Sequence, residues 1–133
     1  YDEHIKFVSL EVNAGSVEKP EANLKIKMED QNKSIKINGN GPVDATFNAI
    51  KKLTKTNYKL NLYQVNAITA GTDAQGEVTV RLEDKDLSSQ AKGSDPDIIV
   101  ASAKAYINAL NRLIFKKTKS IKENSSNLQI RGV

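Results

Sequence analysis

Two short segments have the residue types and spacing to hold a ligand. Gly39-Asn40-Gly41-Pro42 is followed by Asp44, and Gly93-Ser94-Asp95-Pro96 is followed by Asp97. Each sets glycine or small polar residues and a proline ahead of a run with helical apolar spacing. A helix start there exposes unpaired backbone N–H groups at the positive end of the dipole, a generic site for a carboxylate or phosphate. Asp44 complements that dipole, and capping accounts for Asp95 and Asp97 without catalysis. Gly39-x-Gly41 is not a dinucleotide fingerprint, because Asp44 holds the third glycine position. Gly71 to Gly76 lacks the Gly-Lys-Ser/Thr of a phosphate loop, and Asp73 and Glu77 break the spacing of a calcium loop. Tyr63 suits either a core tyrosine or a cavity wall, and the core role is the commoner one.

The rest of the inventory removes whole classes of chemistry. With no Cys and only His4, the 133-residue chain offers no disulfide frame, cysteine nucleophile or multi-histidine metal site. Lys and Arg number 20 against 16 Asp and Glu, a net +4. Five of the basic residues (Arg112, Lys116, Lys117, Lys119 and Lys122) share one acid-free stretch; without them acidic residues outnumber basic by one. That run reads as a solvated helix end, so no nucleic-acid partner is expected. No run reaches the roughly 18 apolar residues of a membrane span, and no signal segment precedes the first strand, so no membrane partner is expected. The start at Tyr1 rather than Met suggests a piece of a longer protein, and a self-contained enzyme is not expected.

Two repeated sets of elements must position these segments. Ile5 to Val12 is a strand whose alternation changes phase at Val8, as a bulged or doubly buried strand would show. Leu24–Met28 and Ser34–Ile37 alternate cleanly about a polar turn at Glu29 to Asn32. Pro42 opens a helix whose buried stripe is Val43, Phe47, Ile50 and Leu53. Tyr58 to Thr69 is a long strand with a phase change near Leu62, followed by a turn over 71–76, a strand over Glu77–Leu82 and a short polar strand over Leu87–Lys92. Gly93 to Asp97 opens a second helix with Ile99, Ala103, Tyr106, Ile107, Leu110 and Ile114 on its apolar face. The helix starts align at Pro42 and Pro96, 54 positions apart, while the helix ends align at 60, so the second helix is expected to be about six residues longer. The fold class is therefore α+β, two tandem βββα units with antiparallel sheets and one helix each. Unit one spans about 5–55 and unit two about 58–117, together a domain over 1–117; residues 118–133 read as a flexible basic and polar tail.

Three motifs in order carry a resemblance. Gly39-Asn40-Gly41-Pro42-Val43-Asp44-Ala45, then Tyr63 with Ala67 to Val78, then Asp97 to Tyr106 with Asn108-Ala109-Leu110-Asn111-Arg112, resemble the C-terminal regulatory domain of the 2-isopropylmalate synthases. The resemblance covers about residues 5 to 115. It implies two βββα units that pair with a second copy as a homodimer in the cytoplasm. It implies binding of leucine, the end product, and attachment to an N-terminal TIM-barrel domain that condenses acetyl-CoA with 2-oxoisovalerate at a divalent metal. No cofactor is implied in the present domain. By motif, the effector contacts fall on Gly39, Asn40, Gly41, Asp44, Tyr63, Ala67, Ala74 and Ile98, with Ala67 and Ile98 helping to set side-chain size. The Gly-Ser-Asp-Pro-Asp start of the second helix departs from the family's commoner Gly-x-Gly-x-Asp/Ser. The regulatory domain of the citramalate synthases, which senses isoleucine, is a close relative, and a dimerisation module without an effector is the remaining alternative.

Overall fold

A computed structural model describes the backbone over residues 3–15, 17–70 and 73–131, and the side chains over those residues except 67–70, 73–74 and 125–131. The order is β1 (Ile5–Asn13), β2 (Glu21–Met28), β3 (Gln31–Asn38), α1 (Pro42–Thr54), β4 (Lys59–Ala70), β5 (Asp73–Asp84), β6 (Leu87–Asp95) and α2 (Ile98–Arg131). The strands form two three-stranded antiparallel sheets, β1-β2-β3 and β4-β5-β6. This is the expected pair of βββα units.

Local chemistry explains most boundaries. Met28 pairs with Gln31, so Glu29 and Asp30 form a two-residue hairpin with φ of 54° and 61°. Positive φ at both positions matches the right-handed strand twist. The phase change in β1 is a bulge between Phe7 and Ser9, which turns Val8 outward at 52% exposure. The change in β4 is a bulge between Leu60 and Leu62. α1 has Pro42 at its start and ends on Lys55 in the left-handed region, with the Lys55 N–H donating to the Lys51 carbonyl.

The second unit departs from expectation in three places. Residues 73–76, expected in a turn, lie in β5, because the ladder with β4 runs on to Ala70 opposite Asp73. Gly93, Ser94 and Asp95 end β6 instead of opening the helix, held by pairing with Val78, Glu77 and Gly76. The helix starts are thus Pro42 and Ile98, and Pro96 lies outside the helix instead of matching Pro42. α2 has 34 residues against 13 in α1, far beyond the expected difference, and the helical assignment continues beyond Lys117.

α2 is the central element. It packs on β5 and β6 of its own unit and on β1 and α1 of the other. By length and composition Ile98–Asn124 is apolar enough to cross a bilayer, yet more than half of its most apolar stretch is buried inside the fold, as in a core helix. Its contact with β6 is a meeting of small residues. Ser89, Ala91 and Gly93 face the helix, and Ala101, Ala105 and Ala109 are buried. A Cβ on Gly93 would sit 2.4 Å from the Ala105 nitrogen and 2.6 Å from the Ala101 oxygen, so only glycine permits this backbone approach. Ser89 Oγ donates to the Ala109 carbonyl at 2.6 Å, fixing the other end.

Unit one is tied to α2 by one side chain acting as a peptide group. Asn111, 2% exposed, accepts the Ile5 N–H on Oδ1 and donates from Nδ2 to the Ile5 carbonyl, both at 2.8 Å. Nearby, Phe47 of α1 tilts against Tyr106 of α2 with ring centroids 4.7 Å apart. Tyr106 is fully buried, its hydroxyl has no hydrogen-bond partner among the described residues, and burial pushes its pKa up to about 12.

Two stability predictions arise here. Asn111→Ala orphans the Ile5 N–H and carbonyl and lowers unfolding free energy by roughly 2–6 kcal/mol, 1–3 for each group; denaturant titration measures it. Tyr106→Phe removes an unpaired hydroxyl and raises stability by about 1–3 kcal/mol. The fold favours neutral Tyr106, so the wild type keeps full stability below the ordinary value near 10 and loses it as pH climbs toward about 12. Melting curves across that window fall more steeply for wild type than for Tyr106→Phe, by on the order of 2–3 kcal/mol.

Candidate functional site

The residues expected to contact an effector come from three distant stretches, and the fold gathers them into two adjoining groups. The first is the turn into α1. Gly39 donates its N–H to the Pro20 carbonyl at 3.0 Å, and a Cβ there would meet the Ala45 nitrogen at 2.3 Å. Packing therefore demands glycine at this position. Asp44, in the first turn, accepts the Asn40 N–H on Oδ2 at 2.7 Å, with the Asn48 amide 3.5 Å away. That bond closes the Gly39–Gly41 loop, so one Asp44 oxygen is already engaged by the chain. Gly41 caps the helix in extended conformation, with no side chain capping the first turn. Pro42 has no N–H, so the Gly41, Val43 and Asp44 amides are the helix-start donors without an intrahelical acceptor.

The second group joins β4 to the start of α2. The Tyr63 hydroxyl lies 2.7 Å from Ser102 Oγ, and that oxygen also donates to the Ile98 carbonyl at 2.8 Å. The Ile98 side chain covers the backbone of Gly76. Gly76 pairs with Ala67 in the β4–β5 ladder, which places Tyr63, Gly76, Ala67 and Ile98 in one neighbourhood. The side chains of Ala67 and Ala74 lie outside the described residues; their backbones sit in β4 and β5, with Ala74 opposite Thr69.

Phe47 bridges the groups. Its ring meets Tyr63 edge-on at 5.7 Å and 82° and also packs on Tyr106. The two helix starts also share a wall: a cavity of about 190 Å³ is lined by Pro42 from α1, Asp97, Ile99 and Val100 at the start of α2, and Leu10 and Val12 from β1. Sequence reasoning missed Phe47, Ser102, Leu10 and Val12 as neighbours of the site. Leu10 and Val12 alternate inward at the end of β1, a signal for burial that does not say which helix they meet.

Carboxylates dominate the electrostatics of both starts. Asp97 caps α2 through Oδ1, which accepts the Ile99 N–H at 2.8 Å, in agreement with the capping role expected for it. Asp95 accepts the Asp97 N–H at 2.9 Å and pairs with Lys104 Nζ at 3.1 Å. The backbone hydrogen bond from Asp97 chiefly holds its carboxyl below the usual carboxylate range; burial opposes this, and Lys104 adds to the lowering. Among the described residues no three His, Asp or Glu side chains gather into a metal-binding group. The arrangement therefore offers carboxylates for an ammonium, first-turn amides for an anion and apolar walls between them, which are the needs of a small zwitterion.

The basic run is more engaged than a solvated helix end. Lys117 reaches Asp84 at 2.7 Å and the Tyr58 hydroxyl at 3.0 Å, contacts that raise its pKa. Arg112 and Lys116 donate to carbonyls of β6.

Comparison with known proteins follows the same lines. Residues 1–114 match the family model described as the LeuA allosteric (dimerisation) domain. A 2-isopropylmalate synthase from Rhodopseudomonas palustris (strain TIE-1) is 45% identical over 130 residues, covering 98% of this chain and 25% of that protein. Another from strain BisA53 is 49% identical over 119 residues, 90% of this chain and 23% of the relative. A third, from Bradyrhizobium diazoefficiens, is 49% identical over 117 residues, 88% of this chain and 22% of the relative. The chain thus spans about a quarter of the length of the curated relatives it matches. With the family model covering most of its residues, the chain belongs to the LeuA allosteric (dimerisation) domain family.

Proposed function

We propose that this chain is the regulatory domain of a 2-isopropylmalate synthase, that it binds leucine between paired copies, and that leucine there inhibits condensation elsewhere in the whole protein. The supporting observation is the Phe47–Tyr63–Ser102–Ile98 link. It joins α1, β4 and the start of α2 so that residues remote in sequence can read one ligand. The leucine carboxylate faces the amides after Gly41, its ammonium faces the carboxylates at the helix starts, and its isobutyl group lies toward Ala67 and Ile98. Ala74 and Asn40 complete the wall. In this reading residues 1–117 make up the regulatory domain, the TIM barrel and its divalent metal belong to the remaining part of the protein, and the location is cytoplasmic.

Pairing of copies has its own support. Leu60, Tyr63, Val65 and Ala67 stand opposite Leu82, Val80, Val78 and Gly76 in the ladder, and directly opposed residues share a face. That is the apolar side of the sheet, and α2 packs chiefly on β5 and β6, reaching β4 at Tyr63. Leu60 stays 40% exposed and Val65 44%, a strip that a second copy would bury.

Three measurements test the reading. Leucine raises the melting temperature, with stabilisation reaching about 2.7 kcal/mol at a hundred times its dissociation constant. Isoleucine and valine give smaller shifts; an isoleucine shift larger than that of leucine reassigns the effector, and no shift with any of the three leaves only the dimerisation module. Ala67→Leu fills the side-chain slot and weakens leucine binding by roughly 10- to 200-fold, measured by calorimetry. Light scattering gives twice the 14.6 kDa chain mass for wild type and the single mass for Leu60→Asp/Val65→Asp.

A further inference from the structure

The outer edge of β6 carries an unexpected regularity. Three α2 side chains one turn apart each donate to a carbonyl of this edge strand. Asn108 Nδ2 reaches the Lys92 carbonyl at 2.8 Å, Arg112 Nη1 reaches the Gln90 carbonyl at 2.7 Å, and Lys116 Nζ reaches the Ser88 carbonyl. The helix steps by four residues while the strand steps back by two. Those steps match because four helical residues rise about 6 Å and two strand residues about 6.6 Å. In a strand, alternate residues point both N–H and carbonyl the same way, so Ser88, Gln90 and Lys92 are the outward set that a further strand would use. α2 lies close enough to reach that set only because Gly93 and Ala91 admit it to backbone distance.

We propose that Asn108, Arg112 and Lys116 form an edge cap that shuts β6 against strand addition by a second copy of this chain. An uncapped edge strand is a template for pairing with another molecule, and long basic side chains are a known means of blocking one. Here the block goes further than charge, since each side chain occupies the acceptor that a partner strand would need. Two of the five basic residues at the end of the chain thereby gain a structural purpose. The cap leaves association to the exposed strip of β4 in the dimer reading above, but it does not depend on that reading.

The test compares oligomeric mass by light scattering across a concentration series, at a temperature where circular dichroism shows each protein folded. The triple variant Asn108→Ala/Arg112→Ala/Lys116→Ala, or the milder Arg112→Ala should the triple fail to fold, shows a weight-average mass that climbs with concentration past the wild-type plateau. It also binds a cross-β dye. Lys119→Ala/Lys122→Ala removes the same two positive charges from exposed positions of the same helix and stays at the wild-type plateau. Adding Ser88→Pro to the edge variant deletes an outward N–H without touching the ladder to β5 and restores that plateau. An edge variant with wild-type mass, a charge control that associates equally, or a failed Ser88→Pro rescue each overturns the cap. The wild-type plateau itself reports the dimer reading separately: a monomer there sinks that reading and leaves the cap to be judged by the variants.

Discussion

The fold depends on how closely α2 approaches β6. At Gly93 the helix and strand backbones meet with no room for a Cβ, and the Ser89–Ala109 hydrogen bond locks the far end of the same contact. From that depth the short side chains of α2 reach partners in every direction: Ser102 toward Tyr63, Asn111 toward Ile5, Asn108 toward the edge of β6. A helix riding on larger residues would sit further out, and these polar groups would be satisfied by water instead. A row of small residues therefore determines whether the two units behave as one body, because interiors are close-packed and transmit such displacements.

The units are repeated in topology and unequal in use. Each has a bulge early in its first strand and a helix after its third, and each helix start has a carboxylate beside it, Asp44 within α1 and Asp97 just before α2. α1 stops at a left-handed Lys55, whereas α2 continues and serves both sheets. That asymmetry suits regulation. Both helix starts and β1 line one cavity, so in the proposed reading an occupant would touch both units, as an allosteric coupling between two arrangements requires. The same asymmetry leaves Leu60 and Val65 of β4 exposed on the apolar side of the sheet, while Tyr63 between them is held by Phe47 and Ser102.

Much of the fold was legible in the residues. Strand alternation, both phase changes and the Pro42 helix start are encoded by neighbours within a few positions and stand; the turn expected over Glu29 to Asn32 tightens to Glu29–Asp30, because Gln31 and Asn32 pair with β2. The site was legible in part. Tyr63 and Ile98 were named by motif, and the structure brings them together through Ser102. Phe47 looked like an ordinary member of a helical stripe, and Ser102 like a neutral helix residue. Nothing in their local sequence says that they face a tyrosine from another strand.

The end of the second unit shows where local reading stops. Gly93-Ser94-Asp95-Pro96 has the composition of a helix start, and taken alone it aligns with Gly39-Asn40-Gly41-Pro42. Pairing with β5 draws Gly93 to Asp95 into the strand instead, since the ladder continues while a partner strand is available. By itself, then, the sequence determined the element types, the bulges, the tandem βββα order and the chemical character of each helix start. The tertiary structure alone decided where α2 begins, that Asn111 serves as a peptide group for β1, and that Arg112 and Lys116 cap an edge. Periodicity records which side of an element is apolar; it carries no record of how near the next backbone comes, and that distance is what turns asparagine, serine and arginine from surface residues into links.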